Sequence, residues 1–201
     1  MPVTINASTS TGLVQSADTS GEIELQSNGT TALKVNTNEG IQILNCLGVG
    51  NATPSTSGAG ITFPATQSAS SDGNTLDDYE EGSWTPTLGG TATYTERAGG
   101  YTKIGRIVFL HGLIIVNSLG TGNTLEVLGL PFVNAGASSG SVSYFDNLAT
   151  SVTSLVPFTD VNNSDRIRFR ALTAAAATMS TPTIFKNGTR VDFFLAYTAS
   201  N

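Results

Sequence analysis

Apolar and polar side chains alternate in short bursts along the first quarter of the chain. Val3-Thr4-Ile5, Glu22-Ile23-Glu24-Leu25-Gln26, Ala32-Leu33-Lys34-Val35 and Ile41-Gln42-Ile43-Leu44 repeat at period two, the spacing of strands with one apolar face. The breaks between them include Asn28-Gly29 and Glu39-Gly40. Asn-Gly suits a two-residue type I′ hairpin turn, because both of its positions need positive φ. From 48 to 74, Gly, Ser, Ala, Thr and Pro dominate and only Ile61-Thr62-Phe63 interrupts them. That composition predicts an extended connector, stiffened at Pro54 and Pro64 and anchored by Phe63.

The pattern changes after residue 83. Thr91-Ala92-Thr93-Tyr94-Thr95 alternates, Gly99-Gly100 is expected to turn the chain, and Tyr101-Thr102-Lys103-Ile104 resumes the strand. Residues 106–116 are apolar on both faces and β-branched, which predicts a central strand buried on both sides. Further strands are expected at 124–128, 140–145, 154–158 and 166–170. A closing hairpin should pair 183–185 with 191–195 across Asn187-Gly188. The four alanines at 174–177 favour helix but are too few to form one alone, so a loop or thin strand continuation is expected there. Strands at about 8–12-residue spacing, with turn residues between them, predict an all-β chain ending in a jelly-roll-like β-sandwich.

Three regions follow: 1–47, a short-strand stalk; 48–82, a connector with an acidic-aromatic collar; and 83–201, the head. The first 74 residues hold one aromatic residue, Phe63. One copy of such a region buries too little apolar surface to offset an ordering entropy of roughly 1–2 kcal/mol per residue. Copies wound about a common axis, each supplying one wall of a narrow aliphatic core, are the economical solution.

Composition narrows the function. The chain has 201 residues, 12% of them charged, with 22 glycines and a net charge of −6. Low charge with moderate hydrophobicity fits an ordered chain. The negative balance argues against nucleic acid as a partner, since phosphate binding needs a basic footprint. No signal-peptide pattern and no run of about twenty apolar residues predicts membrane insertion. Cys46 is the one cysteine. It reads as a small buried hydrophobe, or as a residue approaching its own copies.

The chemistry-bearing residues gather at one place. Thr75-Leu76-Asp77-Asp78-Tyr79-Glu80-Glu81-Gly82-Ser83-Trp84-Thr85-Pro86 runs four carboxylates and a tyrosine into the only tryptophan. With Gly100-Tyr101-Thr102-Lys103-Ile104-Gly105 and Gly129-Leu130-Pro131-Phe132, this stretch resembles the junction and head domain of bacteriophage tail-fibre proteins. The likeness covers about residues 60–132; the last seventy residues are similar only in style, and the first segment only in composition. It implies a homotrimer whose N-terminal part is held by another virion protein, a tail adaptor, baseplate or capsid. The head would meet a bacterial surface glycan or protein.

A glycan-cleaving tailspike needs two carboxylates held across a sugar groove, whereas Asp77, Asp78, Glu80 and Glu81 crowd one short segment. Ion pairing with basic residues of the same or a neighbouring chain, a solvated acidic turn, and a calcium or magnesium site remain open. No cofactor or metal is expected from the spacing. Tyr79 and Trp84 read as packing anchors for the head. Arg166, Arg168 and Arg170 alternate with Ile167 and Phe169, so one strand face carries three guanidinium groups. They would pair with a neighbouring subunit's acidic collar, face solvent, or contact an anionic surface polymer. His111, the only histidine, reads as a core residue or a group near a symmetry axis. No Ser-His-Asp, zinc or phosphate-loop pattern is present. The expectation is a non-enzymatic virion fibre, made in the host cytoplasm, with a capsid decoration protein as the alternative and a surface-polysaccharide depolymerase as a distant third.

Overall fold

A computed structural model describes residues 22–35, 37, 40–67, 70–160, 165–174 and 181–200. The strand expected at Val3-Thr4-Ile5, Glu39 of the second break, and Ala175, Ala176 and Ala177 lie outside the described residues. The chain divides into two compact units, Met1–Thr66 and Gln67–Asn201.

In the first unit β1 (Ile23–Ser27), β2 (Thr30–Val35) and β3 (Ile41–Ile43) form an antiparallel sheet in that order. The β1–β2 hairpin turns on Asn28 at φ 50° and Gly29 at φ 75°, as Asn-Gly predicts. Register puts Ile23, Val35 and Ile41 in one row and Leu25, Leu33 and Ile43 in another. Glu24, Lys34 and Gln42 form a row on the opposite face, where Lys34 Nζ lies 2.6 Å from Glu22 and 3.8 Å from Glu24. Further along, β4 (Cys46–Gly48) pairs in parallel with β5 (Gly60–Thr62), so Ile61 belongs to a strand within the expected connector. Cys46 is half-buried, and its thiol donates to the Gly58 carbonyl at 3.6 Å. None of the described residues from 22 to 67 is buried.

The second unit is one eight-stranded sheet. Its strands are β6 (Tyr79–Trp84), β7 (Thr93–Ile104), β8 (Ile107–Ser118), β9 (Glu126–Leu128), β10 (Ser138–Asp146), β11 (Ser154–Thr159), β12 (Arg166–Leu172) and β13 (Arg190–Thr198). They run in the order β6-β7-β8-β13-β10-β11-β12-β9. β10 makes the corner: Ser138 and Ser139 pair with β11, and Gly140 to Asp146 pair with β13. An antiparallel bridge from Thr87, just past β6, to Leu128 at the end of β9 joins the two sheet edges. The curled sheet thus becomes a β-sandwich around a single core, and no helix occurs among the described residues.

Aromatic edges lock that core. The Phe169 ring of β12 meets Phe193 of β13 at 5.7 Å between centroids and Phe185 at 5.9 Å, while Trp84 meets Phe193 at 6.3 Å. Such edge-to-face contacts add about 0.5–1.5 kcal/mol each beyond burial.

Three local expectations are corrected. Gly99-Gly100 does not turn the chain; both sit inside β7, opposite Gly112 and His111. The turn is at Gly105-Arg106, with Gly105 at φ 54°. Gly99 is required by packing, because a Cβ there would lie 2.1 Å from the Trp84 indole nitrogen. Nor is β8 buried on both sides: Val108, Leu110, Ile114 and Val116 are buried, whereas Ile107, Phe109 and His111 are exposed. The segment 183–185 makes no hairpin with β13, which lies between β8 and β10. Ile184 and Phe185 are buried, and their N–H groups go to the Thr124 carbonyl at 3.1 and 3.5 Å.

Candidate functional site

The acidic-aromatic segment becomes the edge strand β6, and alternation splits its side chains between the two sheet faces. Trp84 fixes the inner face: it is buried, and its indole N–H donates to the His111 carbonyl at 2.8 Å. Glu80 shares that parity, accepting the Tyr101 hydroxyl at 2.6 Å. This bond, with burial and the Glu80 charge, pushes the Tyr101 phenol up to about 12. On the outer face the Tyr79 hydroxyl donates to Glu81, which holds that phenol above its ordinary value, with burial and the carboxylate charge adding. Just before the strand, Asp77 accepts the Ser70 N–H at 2.7 Å. Asp78 is buried as the ion-pair partner of Lys103, whose ammonium also lies 5.2 Å from the centre of the Phe132 ring. Each of the four carboxylates therefore accepts a hydrogen bond within its own chain. Charged residues on an edge strand also discourage unwanted strand addition, a structural reason for the two glutamates here.

Arg166, Arg168 and Arg170 lie on β12, the other half of the sandwich, with Ile167, Phe169 and Ala171 turned into the core. Glu126 on β9 accepts Arg168 Nε at 2.7 Å, Arg166 Nη1 at 3.1 Å and Asn123 Nδ2 at 3.0 Å. Arg168 also reaches Asp160 at 2.5 Å, and Arg170 stacks over the Phe158 ring at 4.3 Å. Burial pushes the Glu126 carboxyl up. The Arg168 bond, the two guanidinium charges and Asn123 outweigh it and hold the group below its ordinary range. Within one chain the arginines and the acidic segment are not brought together. Glu126 and Asp160, which sequence reasoning missed, take that place; their only sequence signal is a lone acid in a short apolar strand and another just past a strand end.

The outer face of β6-β7-β8-β13-β10 was also missed. Register stacks it in rows: Tyr79, Ile104, Ile107 and Thr198; then Glu81, Thr102, Phe109 and Ala196; then Ser83, Gly100, His111, Phe194 and Ser141. Beyond these, Leu113 aligns with Asp192 and Tyr144, and Ile115 with Glu96, Arg190 and Asp146. A shallow hollow opens beside His111, lined by Glu81, Gly100, Thr102, Phe109 and Phe194. Gly100 makes room for the imidazole: a Cβ there would stand 2.7 Å from His111 Cε1.

Among the described residues no group of three His, Cys, Asp or Glu is placed to hold a metal ion, and no helix is long and apolar enough to cross a membrane. No family model matches the chain, and no curated protein matches it. Among solved structures, the chain is similar to the Dettilon tailspike protein (gp208), at 14% identity and a TM-score of 0.47. The match covers 61% of this chain and 24% of that one, so the chain spans about a quarter of the tailspike's length. A likeness this slight carries no argument about activity.

Proposed function

We propose that the protein is a non-enzymatic structural fibre of a phage virion, a homotrimer that presents a β-sandwich head to the host surface. The observation that carries this reading is the contrast between the units. One unit has no buried residue among those described and the other has a complete core, as suits a stalk that depends on copies of itself and a head that does not. The tail-fibre-like run from Thr75 to Pro86 supports it from the sequence side. Multivalency supplies the mechanism: weak head sites on one fibre, and several fibres on one particle, combine into strong adhesion where geometry allows simultaneous engagement. The internal pairing of Asp77, Asp78, Glu80 and Glu81 favours a structural over a hydrolytic role.

Reconstruction of the particle with the protein labelled tests the position. Density on the tail supports the fibre reading. Density on capsid vertices or lattice three-folds would replace it with a decoration role. Turnover of host surface polysaccharide by the purified protein, lost in Asp77→Asn or Glu80→Gln, would overturn the non-enzymatic part.

A further inference from the structure

We infer that the outer face of β6-β7-β8-β13-β10 is where one head packs against a second copy of the same chain, with Phe109 and Phe194 at the centre of the contact. The water-facing side of an antiparallel sheet is normally polar. This one has polar residues in every row but sets large apolar and aromatic side chains among them. Tyr79, Ile104, Ile107, Phe109, Phe194 and Tyr144 all point out, with exposures between 40% for Tyr79 and 49% for Tyr144. With whole side chains of roughly 150–250 Å² for the aromatics, these six leave on the order of 500 Å² in water. Summed over five strands, that is well over half of the roughly 800 Å² that each partner buries in a standard interface. Thr102, His111, Leu113, Ile115 and Ala196 on the same rows supply the remainder.

Charges are sparse where the aromatic rings lie, as in the core of an interface. Glu81 is the one charge among the first three rows. The others cluster at one end, where Arg190 Nη2 pairs with Asp192 at 2.7 Å and the guanidinium covers Tyr144 at 4.9 Å. At the centre, Phe109 and Phe194 flank the hollow beside His111. A concavity walled by aromatics is the usual seat of an anchoring side chain.

A second copy is the occupant because the same chain carries another surface with that need. The row side chains Ile23, Leu25, Ile41 and Ile43 of the first unit are all exposed. Copies gathered through that unit hold their heads at high effective concentration, so a head face of even modest affinity is occupied by its neighbour first. The inference rests on the self-association in the proposed function and not on the position in the virion.

The test uses the full chain. Sedimentation equilibrium locates the concentrations at which it is assembled and monomeric, and hydroxyl-radical footprinting is then run in both states. Phe109, Phe194 and Tyr144 should be protected in the assembly and reactive in the monomer. Phe109→Asp and Phe194→Asp should weaken association by about tenfold or more, with near-ultraviolet circular dichroism checking the fold. Ser151→Asp, on an exposed loop, should leave association unchanged. An assembly in which the three rings stay as reactive as in the monomer overturns this inference alone. A chain that stays monomeric at every concentration overturns it together with the trimeric fibre reading, whereas a capsid location touches only the latter.

Discussion

The two units are built from the same strand chemistry and reach opposite outcomes. In the first, Leu25, Leu33 and Ile43 line up across three strands, yet none of them is buried among the described residues, and Ile41 is 71% exposed. In the second, the sheet curls until Phe169 of β12 meets Phe193 of β13, and the apolar face closes on itself. A regular β-ladder with one apolar face is not a fold; a second layer is required. The second unit supplies that layer from its own chain, through the corner at β10 and the Thr87–Leu128 bridge. The described residues of the first supply too few strands and too few large side chains to do so.

The contrast is broken most strongly by removing the residue that anchors the closed unit. Trp84→Ala deletes a buried indole and its bond to His111, and should cost the second unit about 3–5 kcal/mol. Thermal denaturation followed by near-ultraviolet circular dichroism reads this, and an unchanged melting temperature would mean that the core closes without its anchor. Next comes Gly99→Ala. The added methyl falls 2.1 Å from the indole nitrogen and 2.8 Å from the His111 carbonyl, so the indole must move. A loss of about 1–3 kcal/mol is expected, with a red shift in tryptophan emission as the ring gains access to water.

A smaller effect is a matter of pH. The Glu126 carboxyl is held below its ordinary value of 4.5. Its contribution is therefore present above that value and is lost as pH falls through the lower, folded-state pKa. Glu126→Gln should melt below the parent at pH 7, and the gap should narrow steadily as the solution is taken to pH 3. A gap that stays constant would mean that the arginines do not depend on the charge of Glu126. The smallest effect belongs to the open unit. In dilute monomer, Ile41→Ala should change stability by no more than about 0.5 kcal/mol, as for an ordinary surface substitution. Above the association concentration the same change should weaken self-association measurably by sedimentation.

Much of this was legible from the sequence, for reasons that differ by residue. Period-two patterning located β1, β2, β3, β10 and β12, and Asn28-Gly29 gave its turn because positive φ at both positions is a local demand. Gly99-Gly100 misled because a glycine kept for close packing under Trp84 looks, in sequence, like one kept for a turn. Residues 106–116 misled in another way. A strand with an apolar outer face has the same composition as one buried on both sides, so the exposed row through Phe109 has no signature in the sequence. Of the candidate site, the three arginines did share a face. Their partners Glu126 and Asp160, like the pairing of Asp78 with Lys103, depend on register between strands distant in the chain, which no local pattern encodes.

In the proposed trimer the first unit is ordered only when copies cover its apolar face, while the second is stable alone. Amide hydrogen exchange, residue by residue and as a function of concentration, tests it directly. Amides of β8 and β13 should be protected at every concentration. Those of Leu25, Leu33 and Ile43 should be protected only above the concentration at which sedimentation finds the assembly, and should exchange freely on dilution. Strong protection of these three in a chain shown to be monomeric would contradict the account.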